Sequence, residues 1–161
     1  MKHLLVSVAN QNLTLFDDAG NIEKVYAIST ATNGVGEKKG SEQTPRGLHK
    51  IRAKIGKDHP RNTVFVGRRP TGEYYTPGLG KQHPNRDWIL TRILWLSGLE
   101  PGKNRFGQVD TMARYIYIHG VPDDADLSIP RSKGCINMTN DDVVDLFDRI
   151  NINDMVEIVE T

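Results

Sequence analysis

A mainly β fold with one short helix is what this sequence predicts, and three observations carry that prediction. Apolar residues come in short runs rich in valine, isoleucine and tyrosine, the composition of strands. The runs are separated by breaks rich in glycine, proline, asparagine and aspartate, drawn from 15 Gly and 8 Pro. Only residues 139–150 space their apolar side chains at a helical period. A chain of 161 residues is large enough to bury a real core and has the size of one domain, so 1–161 is read as a single unit. The net charge of +1 leaves no electrostatic footprint for nucleic acid. The single cysteine excludes an intramolecular disulfide.

In chain order, residues 4–8 form a first strand and Asn10-Gln11-Asn12 a turn. Leu13, Leu15 and Phe16 carry a second strand, a turn follows at 17–21, and residues 25–29 are a third, which together make a meander. Residues 30–43 are a long polar loop of the kind that often belongs to a site. Gly34-Val35-Gly36 within it is no phosphate cradle, because no helix pattern follows. Thr44-Pro45-Arg46-Gly47 ends the loop, and residues 48–55 are the next strand, with His49 expected on its surface. After a polar break at 57–62, residues 63–66 form a short strand. Residues 68–87 are an excursion rich in Gly, Pro, Tyr and charge, suited to a lid or a substrate wall. Tyr74 and Tyr75 are read there as anchors before they are read as ligand platforms. His49, His59 and His83 match no metal-ligand spacing.

Residues 88–96 read as a central strand with Arg92 in its middle, either snorkelling to water or clamping a carboxylate in a cleft. A polar loop at 100–112 leads to the apolar run 115–118. Thr139 caps a helix with Asp141 and Asp142 in its first turn, and Val143, Val144, Leu146, Phe147 and Ile150 form its stripe. Asn151-Ile152-Asn153 stops it, and residues 155–159 close the sheet. The N-terminal apolar run breaks at Asn10, too early for a secretory leader, so the expected location is the cytoplasm, or the periplasm if a leader has been removed. No run has the length of a membrane span.

The chemistry concentrates at residues 115–138. The run 115–118 delivers His119 to a sheet edge, and Gly120 lets the chain turn. Cys135, the only cysteine, stands in Ser132-Lys133-Gly134-Cys135-Ile136-Asn137, a context that suits a loop or a helix entrance. Its flanks are polar and Gly134 leaves room for a substrate backbone, unlike the setting of a buried structural thiol. A thiol and an imidazole brought together form a nucleophile–base pair.

His119-Gly120 followed by Ser132-x-Gly134-Cys135-Ile136-Asn137 resembles the signature of the L,D-transpeptidase (YkuD-like) catalytic domain. Thr44-Pro45-Arg46-Gly47-Leu48-His49-Lys50-Ile51 is similar to a second element of that family. The resemblance runs through nearly the whole chain and implies a β-sandwich or barrel of mixed sheets with one short helix after the cysteine. One position departs: Lys133 stands where the family usually has a second histidine. By the resemblance Cys135 is the nucleophile, His119 the general base, the Gly120 carbonyl its orienting partner, and Gly134 part of an oxyanion pocket. Ser132 and Asn137 shape the loop, Arg131 or Lys133 receives substrate carboxylates, and no metal or cofactor is needed. The implied partner is a peptidoglycan stem tetrapeptide or muropeptide. Three readings follow: an L,D-carboxypeptidase that hydrolyses the thioester in murein recycling, a periplasmic transpeptidase forming 3–3 crosslinks, and a non-catalytic module binding peptidoglycan fragments.

Overall fold

A computed structural model describes every residue from Met1 to Thr161. It is mainly β, built on one ten-stranded mixed sheet. The strands are β1 (His3–Ser7), β2 (Asn12–Phe16), β3 (Ile22–Ala27), β4 (Gly47–Ile55), β5 (Thr63–Val66), β6 (Arg69–Tyr74), β7 (Ile89–Gly98), β8 (Tyr117–Gly120), β9 (Ile136–Met138) and β10 (Met155–Val159). Their order is β3-β2-β1-β10-β4-β7-β5-β6, and β8 branches from β7 to pair with β9. The β1–β10 and β8–β9 pairs are parallel and the others antiparallel. Helix α1 (Pro77–Gln82) lies in the excursion, and α2 (Asn140–Arg149) follows β9.

Helix α2 forms where its sequence directs it. The Thr139 hydroxyl accepts from Asp142 N at 3.1 Å, two aspartates occupy the first turn and Arg149 the last. Each charge complements the helix dipole. Val143, Leu146 and Phe147 are buried against β7 and β8. They complete a core with Leu94, Leu96, Ile118, Ile136 and Met138. At Gly120 the approach is so close that a Cβ would stand 2.5 Å from Asn140 Oδ1 and 2.7 Å from Leu90 O, so only glycine lets α2 begin there.

The structure refines several expectations. The order in the excursion at residues 68–87 consists of β6 and α1. Tyr75 packs edge-on against Trp88 with centroids 5.0 Å apart, while Tyr74 is exposed. Cys135 lies in a loop, one of the two settings its context offered, and strand β9 rather than a helix follows it. His49 is buried, not on a strand surface: Nδ1 lies 3.0 Å from Gly47 O and Nε2 2.9 Å from Thr111 Oγ1. The cover is the 100–112 loop, which Asn104 Nδ2 fastens over β4 by donating to Arg46 O and Leu48 O.

Burial pushes the His49 imidazole down from 6.5 to about 4. Its folded value is depressed, so its contribution to stability is complete above pH 6.5 and is lost as pH falls toward 4. His119, lowered for the same reason, acts with the same sign. Urea unfolding between pH 7 and pH 4.5 should show a falling midpoint, and His49→Gln should flatten much of that slope while lowering stability at pH 7.

Candidate functional site

Strands β8 and β9 pair in parallel with His119 opposite Asn137 and Ile118 opposite Ile136. Side chains alternate along a strand. Ile118, Ile136 and Met138 therefore enter the main core. Tyr117, His119, Cys135 and Asn137 share the other face, where Tyr117 and Cys135 pack with Phe65 and Ile93. All four line one cavity of about 490 Å³. Gly67, Arg68, Asp87, Ile89, Arg114, Tyr115, Ile116, Ser132 and Lys133 complete its wall.

His119 is buried, and its Nδ1 lies 2.8 Å from Gly120 O. A carbonyl can only accept, so Nδ1 carries the proton and Nε2 keeps its lone pair for the cavity. Burial lowers the imidazole pKa first of all, Asp87 opposes this, and Arg131 adds to it. The ring is therefore neutral at pH 7.

The Cys135 sulfur accepts from Tyr117 N at 3.3 Å and donates to Tyr115 O at 3.5 Å. The resting thiol thus keeps its proton on a backbone carbonyl. Burial pushes it up to about 12, the Tyr117 amide and Arg114 pull it down, and Asp87 pushes it up further. Thiol and imidazole are both neutral before substrate arrives. The cavity therefore holds no standing thiolate.

The turn before Cys135 is braced on three sides. Ser132 Oγ donates to Cys135 O at 2.6 Å and accepts from Gly134 N at 3.2 Å. Thr44 Oγ1 donates to Gly134 O at 2.9 Å. Thr30 O accepts from the amides of Arg131 and Ser132, and Ser29 exchanges backbone hydrogen bonds with Asn137. The long loop after β3 is thus the floor of the cysteine turn. Gly134 has φ +130°, and a Cβ there would stand 2.9 Å from Ile116 Cδ1 and 3.2 Å from Gln43 O.

Arg114 stands behind this turn. Its guanidinium donates to Gly36 O, Glu37 O, Ser41 Oγ and Gln43 O, the last at 2.6 Å. Asn137 is buried in the wall beside His119, with Oδ1 lacking any partner. Lys133 is exposed on the rim. Arg131 lies outside the main cavity but lines an adjoining one of about 340 Å³ with Asp87, Ser132, Lys133 and Asn137.

Arg92 is a correction. It does not line the cleft: Nη1 donates to His59 O at 2.9 Å and Thr91 O at 2.7 Å, and its charge lies 5.4 Å from the Phe147 ring on the α2 side. Thr91 has φ +75° and the β7–β8 register shifts between Leu90 and Ile93. Residue 92 alternates with Leu94 and Leu96, which enter the main core, and not with Ile93 and Trp95 on the cleft side, so the strand itself sends Arg92 toward α2. His49, His59 and His83 form no metal-binding group with one another. Sequence reasoning missed Arg68, Asp87, Arg114 and Tyr117, which come from four segments with no motif in common. The one local signal was Gly67-Arg68 between two short extended runs, a hairpin-turn spacing.

The sequence matches the family model for the YkuD L,D-transpeptidase catalytic domain over residues 1–158. No curated protein matches it. Among solved structures, L,D-transpeptidase 3 from Mycobacterium tuberculosis in complex with a faropenem-derived adduct is 16% identical, with TM-score 0.60, covering 99% of this chain and 60% of its own. An L,D-transpeptidase from Mycobacterium smegmatis is also 16% identical, with TM-score 0.56, covering 98% of this chain and 58% of its own. One from Enterococcus faecium carrying a cysteine-to-serine substitution is 14% identical, with TM-score 0.57, covering 98% and 49%. At these identities the likeness is one of fold, and this chain spans about half to three fifths of the length of the proteins it resembles.

A thiol held at about 12 should alkylate slowly at pH 7. The rate of iodoacetamide labelling of Cys135 should keep rising about tenfold per pH unit through the ordinary thiol value of 9.0, without a plateau there. Gly134→Ala forces a side chain into a left-handed backbone against Gln43 O. It should lower the melting temperature, and turnover of any peptide substrate should fall by at least tenfold, measured at a temperature where the variant is folded.

Proposed function

The chain belongs to the L,D-transpeptidase catalytic domain family, and on that premise we propose that it is an L,D-carboxypeptidase acting on peptidoglycan tetrapeptides. The observation that carries this is the shared face of β8 and β9, where the neutral imidazole of His119 and the thiol of Cys135 line one solvent-open cavity. In this reading His119 Nε2 takes the thiol proton as sulfur attacks the carbonyl that precedes the terminal D-alanine. The Gly120 carbonyl holds the ring in the tautomer that leaves Nε2 free. The amide of Cys135 receives the oxyanion, that of Gly134 being held by Ser132 Oγ, and the half-buried charge of Arg114 behind the turn lowers the cost of negative charge on sulfur and oxygen. The carbon–nitrogen bond then breaks, the imidazolium gives its proton to the leaving amine, and a thioester remains. Water adds to the thioester with His119 again as base, releasing the tripeptide and the free thiol.

Two features support water as the acceptor. Lys133 occupies the position of the family's second histidine, and the adjoining cavity is lined only by polar groups and Pro84. Transfer to an amine is the second reading, favoured by solved structures of similar fold that are named L,D-transpeptidases.

Incubation with disaccharide-tetrapeptide, followed by mass analysis, separates these. We expect tripeptide and free D-alanine; crosslinked dimers would favour the transferase, and intact substrate under all conditions would leave a binding module. Cys135→Ala should abolish turnover, and His119→Gln should lower kcat by about 10²- to 10⁴-fold.

A further inference from the structure

Arg68 is an arginine whose position is costly and whose hydrogen bonds are mostly unused. It sits with Gly67 at the tip of the β5–β6 hairpin, where the two have φ +66° and +57°. Paired left-handed residues make the type I′ turn that suits a hairpin, but that region is unfavourable for any side chain with a Cβ. The turn puts Arg68 on the wall of the cavity that holds Cys135 and His119.

There the guanidinium is held still. Its carbon lies 4.8 Å from the Trp95 ring centre and 4.7 Å from that of Tyr115, in the corner the two rings make. Nη1 donates to the Tyr117 hydroxyl at 3.0 Å. Tyr117 also donates its amide to the Cys135 sulfur, so one residue joins the arginine to the thiol. A guanidinium carries five N–H donors. Arg68 spends one on Tyr117 and pairs with no carboxylate, whereas Arg46, Arg61, Arg86 and Arg149 each do. Arg114, the other arginine of the cavity wall, gives its donors to four protein oxygens.

We propose that Arg68 is the carboxylate receptor of the cleft: its open N–H edge takes a carboxylate of the bound stem peptide and so fixes the peptide over Cys135. The proposal rests on the peptidoglycan reading and names a recognition group for it. A planar fork fits a carboxylate with two parallel hydrogen bonds, and stacking on Trp95 and Tyr115 leaves little rotamer freedom to lose on binding. Two carboxylates of the stem peptide flank the scissile bond, one on the terminal D-alanine and one on the side chain of the diaminopimelate-type residue.

The test measures binding to Cys135→Ala protein, so it does not depend on turnover. Dissociation constants are measured by calorimetry for the free-acid tetrapeptide, for its terminal D-alanine amide and for its diaminopimelate side-chain amide. The free acid should bind about 10- to 100-fold more tightly than one of the two amides, and that amide identifies the carboxylate concerned. Adding Arg68→Met should bring that ratio close to one, while Arg68→Lys should keep part of it. Should Arg68→Met not fold, Arg68→Gln serves in its place. The proposal is overturned if the free acid has no advantage, if it does not bind, or if its advantage survives loss of Arg68. Failure of the wild-type protein to release D-alanine bears on the enzyme reading and leaves the binding ratio to be read by itself.

Discussion

The pairing of two very short parallel strands is the constraint on which the rest depends. Strand β9 has three residues, too few to hold its own register. A slip of one residue would turn Cys135 and Asn137 into the core and Ile136 into the cleft. Register is held from both sides. On one, Ile118, Ile136 and Met138 are fully buried against the main core. On the other, the chain after β3 supplies bridges from Ser29 to Asn137 and from Ala31 to Ser132. Thr44, through its hydroxyl to Gly134 O, fastens the turn itself. The long polar loop is therefore part of the sheet's edge, and it braces the turn that carries Cys135.

Charge in the cleft is balanced so that the resting state is neutral. Arg114 is half-buried, and desolvation lowers its pKa from the ordinary arginine value, yet four oxygens accept its hydrogen bonds and keep it a cation in practice. It favours the thiolate, Asp87 opposes it, and burial outweighs both. Asp87 also favours the imidazolium of His119. A carboxylate that raises the cost of thiolate and lowers the cost of imidazolium makes the proton more stable on the ring at the moment sulfur is consumed. Such an arrangement leaves the only thiol protonated at rest.

How far the site could be read from the chain depended on how local each signal is. His119 and Cys135 stood out because their signals are carried by near neighbours: an apolar strand ending in His-Gly, and a lone thiol preceded by Ser-Lys-Gly. The helix from Asn140 to Arg149 was legible because its cap, its acidic first turn and its stripe all lie within it. The clamp reading of Arg92 failed because the chain does not say which face of β7 the cleft takes; the cleft lies on the side of Ile93 and Trp95, and Arg92 shares the side of Leu94 and Leu96. His49 was misread because its cover comes from residues about 60 positions away, a separation no strand pattern registers.

By itself the sequence determined the class of fold and the order of its main elements, and it singled out His119 and Cys135, which line one cavity. Those properties follow from side-chain periodicity, turn chemistry and the scarcity of nucleophiles, all of which act over a few residues. Only the tertiary structure decided which charges face the thiol. Arg68, Asp87 and Arg114 arrive from a hairpin tip, the lead-in to β7 and the approach to β8. Their convergence is set by the branching of β8 from β7, and a branch in a sheet is made by long-range hydrogen bonds that leave no periodic trace in the chain.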